Sequence, residues 1–67
     1  MSVAKVIEIT SESTESFDDA IRRGVARAEK IVRNVTGAWV KEHNLRVEDG
    51  RITGYRVDLM VTFVLTS

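Results

Sequence analysis

The sequence contains no cysteine and no proline among its 67 residues. Without cysteine no disulfide can form, and a lone His43 leaves no Cys/His cluster with the spacing of a structural zinc site. A chain of this length buries only about 60% of the surface that it exposes when unfolded, so it is marginally stable by itself. Oligomerisation is the common remaining way to stabilise so small a domain.

Excess charge of one sign is also absent, because ten Lys and Arg residues balance ten Asp and Glu residues. A neutral chain creates no overall field that attracts nucleic acid or anionic lipid. No segment approaches the roughly 20 apolar residues that span a bilayer, and the N-terminal MSVAKVIEI lacks the long apolar section of an export signal. We therefore expect a cytoplasmic protein, without nucleic-acid or membrane partners, that forms a single domain over residues 1–67.

Residues Val3 to Thr10 are rich in Val and Ile and predict a first strand. A helix is predicted from Thr14 to Asn34, with Ser13 as its N-cap because carboxylates follow closely. Apolar and small residues recur over this segment at helical spacing, at Phe17, Ala20, Ile21, Gly24, Val25, Ala28, Ile31, Val32 and Val35.

Charged residues support the same helix. Acids stand four residues before bases in the pairs Asp18/Arg22, Asp19/Arg23 and Glu29/Arg33. Basic residues then crowd the C-terminal end of the helix, at Arg27, Lys30 and Arg33. We interpret this basic run as a solvated face in preference to a phosphate-binding surface.

The dipeptide Asp49-Gly50 is a strong hairpin signal between two predicted strands, Ala38 to Val47 and Arg51 to Leu65. With these two residues as the loop, the residue numbers of paired positions sum to 99. This register places favourable partners opposite each other, namely Lys41 and Asp58, Trp39 and Met60, and Val40 and Leu59.

The predicted hairpin is longer than the predicted helix. The helix spans about 31 Å and the last strand roughly 50 Å, so about six residues of the hairpin extend beyond the helix. In the predicted register Glu42, Asn44 and Arg46 occupy the helix side there, whereas Leu45, Val47 and Ile52 face the opposite way. Trp39, Met60 and Val64 share that opposite face, which is too apolar to face only water. We predict an oligomer interface that includes Leu45, Val47, Ile52 and Trp39.

Several short motifs match a known family in their order and spacing. They are Lys5-Val6-Ile7-Glu8-Ile9, Ser13-x-x-Ser16-Phe17-x-x-Ala20, Ala26-Arg27-Ala28, Asn34-Val35, Asp49-Gly50 and Tyr55-x-Val57-x-Leu59-x-Val61-x-Phe63-x-Leu65. In these features the chain resembles the dodecins from end to end. With the assigned elements, the resemblance predicts an α+β fold of βαββ order, whose three-stranded antiparallel sheet, in the order first, third, second, wraps on one long helix. It also implies a hollow assembly of twelve subunits with the sheets inward, and many dodecins bind flavins or FMN between stacked tryptophans.

The positions that bind flavin in the family hold other residues here. Gly37 stands at the position of the stacking Trp, Arg56 at that of the Gln that bonds the flavin ring, and Asn44 and Val64 at those of the phosphate-binding arginines. Flavin binding through the usual arrangement is therefore expected to be weak or absent. Trp39 lies two residues along the strand from Gly37, on the same face and about 7 Å away. It either stacks on a ligand or anchors a subunit interface, and we favour the anchor.

Other candidate chemistry is less specific. In the predicted register His43 lies opposite Arg56 and beside Lys41 and Asp58, which we interpret as charge pairing in preference to acid/base catalysis. No recognised catalytic motif is present, and we do not expect an enzyme. The candidate ligand-binding residues are Trp39, Arg56, Met60 and His43.

A hard cation such as calcium or magnesium is a further possibility, at an axis where several copies of the chain meet. Its candidate ligands are the carboxylates of Glu8, Glu42, Asp49 and Asp58. For each of these carboxylates by itself, we favour a paired or solvated role over metal binding. Two functions stay open: a shell that stores or buffers a small ligand, flavin through Trp39 included, and a structural or cation-binding shell without an organic ligand.

Overall fold

The computed structural model describes residues 2–65. It has four elements in chain order: β1 (Val3–Ser13), α1 (Phe17–Ile31), β2 (Val35–Glu48) and β3 (Arg51–Leu65). The strands form one antiparallel sheet in the order β1-β3-β2, and α1 packs on one face of it. The predicted α+β fold of βαββ order is confirmed, and β1 and β2 are both longer than predicted.

The helix begins later than predicted. Ser16 is its N-cap, since its backbone is extended and its Oγ accepts a hydrogen bond of 2.9 Å from the Asp19 N–H. Ser13, the predicted N-cap, instead ends β1, and its Oγ accepts a hydrogen bond of 2.9 Å from the Glu15 N–H. Several hydroxyls precede this helix, and the cap is the one whose own carbonyl accepts the first helical hydrogen bond, 3.1 Å from the Ala20 N–H.

The helix also ends earlier than the predicted Asn34. Val32 is extended, and its N–H donates to the Ala28 carbonyl at 2.9 Å, which closes the last turn. Asn34 has φ 63, a left-handed conformation that Asn tolerates, and the chain turns there into β2. With 15 residues, α1 is about 22 Å long, so the hairpin extends further beyond it than predicted.

Small residues let α1 lie close against the sheet. Ala20, Gly24 and Ala28 are buried along one side of the helix, and a Cβ on Gly24 would lie 2.5 Å from Leu59 Cδ1. The buried core joins these positions to alternate residues of β3: Val57, Leu59 and Val61. Partly buried apolar residues complete it, at Ile7, Ile9, Phe17, Ile21, Val25, Val35 and Val40.

Asp49 and Gly50 form the predicted two-residue turn, and their positive φ values of 51 and 74 suit a type I′ turn. The predicted register is correct beside this turn and again at Trp39, which lies opposite Met60, and at Val40, which lies opposite Leu59. Between these two regions it is wrong by one residue.

Two register shifts cause this difference. The extra residue is Lys41 of β2 in one shift and Thr53 of β3 in the other. Because the two extra residues are on opposite strands, the pairing returns to the predicted register at Val40 and Trp39. Glu42, and not Lys41, therefore lies opposite Asp58. His43 lies opposite Val57, so the predicted pairing of His43 with Arg56 is also wrong.

The shifts reverse the predicted faces near the hairpin turn. Leu45 lies opposite Tyr55, whose ring contacts the Phe17 ring of α1 with centroids 5.2 Å apart. Leu45 therefore lies on the helix side of the sheet, and by alternation so do Val47 and its partner Ile52. Glu42, Asn44 and Arg46 lie on the opposite side, contrary to the prediction.

The end of the hairpin lies beyond the reach of α1. Leu45, Val47 and Ile52 are 49%, 56% and 53% exposed, as expected for a chain by itself. The chain measures 51 × 18 × 14 Å, and its radius of gyration of 13.8 Å exceeds the about 11 Å of a compact domain of this length. Among residues 2–65, no helix has the length and hydrophobicity that crossing a membrane requires.

Candidate functional site

The sheet face that α1 does not cover is called the open face here. Alternation along the strands and the pairing between them define its members. They are Ala4, Val6, Glu8, Thr10 and Glu12 of β1, Gly37, Trp39, Glu42, Asn44 and Arg46 of β2, and Gly54, Arg56, Asp58, Met60, Thr62 and Val64 of β3. This face has an apolar part and a charged part.

Trp39 is the central residue of the apolar part. It lies directly opposite Met60, as predicted, and is 52% exposed. Val6 and Val64 lie on the same face toward the far end of β3. An exposed indole beside apolar side chains offers a flat surface on which a planar ligand or a second subunit can pack.

The charged part begins at Glu8, which lies opposite Met60, the residue that also lies opposite Trp39. Lys41 Nζ lies 3.5 Å from Glu8 Oε2, and the Thr10 hydroxyl donates a hydrogen bond of 3.0 Å to Asp58 Oδ1. Glu42 lies directly opposite Asp58, so two carboxylates occupy adjacent positions across the strands. Like charges in this arrangement repel each other, and a bound cation would relieve the repulsion.

The four candidate metal ligands are only partly brought together. Glu8, Glu42 and Asp58 share the open face, whereas Asp49 lies in the hairpin turn at the end of the sheet. Within residues 2–65 no three acidic or histidine side chains lie close enough together to hold a metal ion. Glu42 and Asp58 are the two carboxylates that the described residues place directly opposite each other on this face.

A shallow depression of about 270 Å³ lies farther along the open face. Glu12, Asn44, Arg46 and Arg56 of that face line it, together with Leu45, which otherwise lies on the helix side. Arg46 Nη2 donates a hydrogen bond of 3.1 Å to Glu12 Oε1, and this partner raises the pKa of the Arg46 guanidinium. Gly54 is buried beneath the pair, where a Cβ would lie 3.4 Å from Arg46 Cβ. Arg56 lies directly opposite Asn44 beside the depression.

His43 does not join the other candidate ligand-binding residues. Trp39, Met60 and Arg56 share the open face, but His43 lies on the helix side, where its ring contacts the Phe17 ring edge-on with centroids 4.8 Å apart. The shift at Lys41 turns His43 to that side. Sequence reasoning missed the resulting group of Phe17, His43 and Tyr55, because the change in apolar alternation after Val40 was interpreted as an interface on the opposite face and not as a register shift.

The four positions that correspond to the family's flavin-binding residues all lie on the open face. They are Gly37, Asn44, Arg56 and Val64. Gly37 has open space around it, since a Cβ there would meet no atom within 4 Å. Trp39 lies on the same face as Gly37, as predicted, so moving the ring two residues along β2 keeps it at the same surface.

Comparisons of the sequence and of the structure with known proteins point to one family. The Dodecin family model matches residues 3–66. The calcium dodecin of Mycobacterium tuberculosis (strain ATCC 25618 / H37Rv) is 41% identical over 64 residues, which cover 94% of this chain and 89% of that protein.

Solved structures agree with that family match. The dodecin from Streptomyces davaonensis has a TM-score of 0.92 and 32% identity, with 98% of this chain and 97% of that chain covered. The crystal structure of calcium dodecin from Mycobacterium tuberculosis, described as having a novel calcium-binding site, has a TM-score of 0.82 and 35% identity. Its match covers 96% of this chain and 91% of that chain.

Proposed function

The chain belongs to the dodecin family, and from this premise we propose that it assembles into a hollow homododecamer that binds a small ligand. Its role in this proposal is storage or buffering, not catalysis, in the cytoplasm. The likeness to the dodecins supports the assembly, and the composition of the open face supports the binding. The ligand occupies the interior, toward which the open face points in this arrangement.

The observation that carries the proposal is the apolar surface that one chain leaves uncovered. Leu45, Val47 and Ile52 are each about half exposed where the hairpin extends past α1, and Trp39 is 52% exposed on the open face. Burying apolar surface contributes roughly 25 cal/mol per Å², so covering these residues with further copies stabilises the chain. Among residues 2–65, none covers them.

Native mass spectrometry of the protein purified without added ligand tests this proposal. We expect a dominant species of about 90 kDa, twelve times the chain mass of 7.5 kDa, with additional mass where a ligand has co-purified. Denaturing mass spectrometry of the same sample is the control and reports the chain alone. A folded monomer of chain mass in dilute buffer contradicts the proposal.

A second candidate is a cation-binding shell, favoured by the position of Glu42 directly opposite Asp58 on the open face. The relative named calcium dodecin, at 41% identity, supports calcium as the ion. In an assembly, pairs of carboxylates from several chains can supply the six to eight oxygen ligands that calcium takes.

Thermal unfolding of chelator-treated protein, with and without calcium, tests the second candidate. We expect calcium to raise the unfolding midpoint of the parent and to raise that of Glu42→Gln much less. Glu29→Gln, which removes an exposed carboxylate on α1, is the matched control and should respond like the parent. An equal response in Glu42→Gln, or none in the parent, excludes this site.

A further inference from the structure

Sulfur is scarce in this chain. The sequence has no cysteine and two methionines, and Met60 is the only sulfur-containing residue among residues 2–65. Thiols and thioethers are the side chains that peroxides oxidise by transfer of one oxygen atom to sulfur. Within the described residues, Met60 is therefore the side chain at which this chemistry is expected.

Met60 occupies a central and accessible position on the open face. It belongs to β3, the middle strand of the sheet, and lies opposite Glu8 of β1 on one side and opposite Trp39 of β2 on the other. Met60 is partly exposed, whereas its neighbours Leu59 and Val61 are buried under α1 on the other face. A small peroxide therefore reaches the thioether without any opening of the core.

The thioether lies where the apolar part of the open face meets the charged part. Trp39 is 52% exposed on one side of it, and on the other side Glu8 Oε2 lies 3.5 Å from Lys41 Nζ. Directly opposed residues have their Cβ atoms about 5 Å apart, a separation at which a thioether packs favourably against an aromatic ring. Oxidation to the sulfoxide replaces this apolar partner of the indole by a polar, hydrogen-bond-accepting group.

We propose that Met60 is a reversible oxidation site that controls the surroundings of Trp39 on the open face. The sulfur lone pair attacks one oxygen of hydrogen peroxide, and the O–O bond breaks. That oxygen stays on sulfur as the sulfoxide, and its proton passes to the leaving hydroxide, which departs as water. Sulfur is thereby oxidised by two electrons and the peroxide is reduced. Methionine sulfoxide reductases restore the thioether.

The oxidation state of Met60 then determines how well an apolar surface packs on Trp39. A polar and chiral sulfoxide beside the indole disrupts apolar contacts that the thioether supports. This consequence is the same for one chain and for an assembly. The inference therefore goes beyond the proposed function and does not depend on it.

Peroxide treatment of the intact protein tests the proposal, because Trp39 is the only tryptophan of the chain and its emission reports on this site. Catalase stops the reaction, and peptide mass spectrometry locates the added oxygen. We expect one oxygen atom on Met60 and, in the same sample, a shift of the Trp39 emission to longer wavelength. Methionine sulfoxide reductase with a thiol reductant should remove the oxygen and reverse the shift.

Met60→Leu is the matched control, since leucine is apolar, has a similar volume and carries no sulfur. Its emission should stay constant on peroxide treatment. An equal shift in Met60→Leu would overturn the proposal, because peroxide would then change the indole by another route. Two results in the parent protein would overturn it as well, without relying on a variant. One is absence of oxygen on Met60 under conditions that oxidise free methionine, and the other is oxidised Met60 with unchanged emission.

Discussion

Asp19 holds the N-terminal end of α1 to β1. Its N–H donates to Ser16 Oγ at 2.9 Å, while its Oδ2 accepts hydrogen bonds of 2.6 Å from the Ser13 hydroxyl and from Arg23 Nε. The bond from Ser13 and then the bond from Arg23 hold the pKa of Asp19 below its ordinary value of 3.8. This carboxylate therefore connects the end of a strand to the first turn of the helix.

The stability that this carboxylate contributes depends on pH. Because the pKa of Asp19 is lower in the folded than in the unfolded chain, its contribution is complete above the unfolded pKa and is lost as the pH falls through the folded pKa. We expect Asp19→Asn to lower the thermal unfolding midpoint at about pH 7, and the difference from the parent to shrink below about pH 4. Asp18→Asn, an exposed control in the same turn, should show little difference at either pH. A difference for Asp19→Asn that is constant with pH would refute this assignment.

We expect any flavin binding by this chain to depend on Trp39. Because Gly37, Asn44, Arg56 and Val64 occupy the family's binding positions, we expect riboflavin and FMN to bind weakly or not at all. Stacking on an aromatic ring contributes on the order of 1 kcal/mol beyond its buried area, and the usual polar contacts are missing as well. Titration followed by flavin fluorescence measures the affinity, with Trp39→Phe and Trp39→Ala as paired variants. Submicromolar binding that Trp39→Ala abolishes would show that the shifted ring has taken over the stacking role.

At the scale of elements, the close contact between α1 and the sheet depends on Gly24. A Cβ there would lie 2.5 Å from Leu59 Cδ1 and 3.1 Å from Ser11 Cβ, and Leu59 is fully enclosed in the core. Overpacking costs about 1 to 3 kcal/mol, whereas alanine gains up to about 1 kcal/mol over glycine within a helix. We therefore expect Gly24→Ala to lower the free energy of unfolding by on the order of 1 kcal/mol.

Urea unfolding at a fixed protein concentration measures the effect of Gly24→Ala. Arg22→Ala is the control, because it changes an exposed residue of the same helix and should alter the free energy by less than about 0.5 kcal/mol. Unchanged or increased stability in Gly24→Ala would mean that Leu59 moves aside without cost.

The order of the elements could be predicted from the sequence because each element has a strong local signal. The run Asp49-Gly50 determines the turn, and alternate apolar residues from Tyr55 to Leu65 define β3. The ends of α1 are less certain from sequence, since Ser13 and Ser16 are both good caps. They differ in the structure because the Ser16 Oγ accepts from the Asp19 N–H within the helix, whereas the Ser13 Oγ accepts from the Glu15 N–H before it. Propensity alone does not contain that information.

Part of the candidate site could be predicted, because the two register shifts between β2 and β3 alter only the pairs that lie between them. Trp39 and Met60 lie opposite each other as predicted, because the shift at Thr53 is cancelled by the shift at Lys41 before the strands reach this pair. His43 lies between the shifts and so faces the helix side. The unshifted register gives Lys41 the favourable partner Asp58, whereas the change in apolar alternation between Val40 and Leu45 favours a bulge, and the predicted register followed the charge pair. Contacts across the sheet determine it.

At the scale of the whole molecule, the β2–β3 hairpin of one chain is longer than the hydrophobic core that its single helix covers. The hairpin extends beyond α1, and Leu45 and Ile52 are about half exposed on the helix side of the sheet. If these side chains are buried between copies, a carboxylate placed there costs several kcal/mol of desolvation and separates the subunits. We expect Leu45→Asp and Ile52→Asp to shift size-exclusion profiles toward smaller species.

Arg22→Ala is the control for this experiment, because it shortens a solvated side chain on α1 and should elute like the parent. Light scattering on the eluted peaks gives the masses. If all three variants elute like the parent, the end of the hairpin is not an interface.

β2 is an edge strand of 14 residues that pairs, within residues 2–65, only with β3. A long regular edge offers backbone donors and acceptors to any other strand, and unlimited addition of strands leads to fibrils. The bulge at Lys41 interrupts this edge near its middle, and charged side chains follow it at Glu42, Arg46 and Glu48. The irregularity that turns Leu45 and Val47 toward the helix side thus also protects a dissociated chain from aggregation.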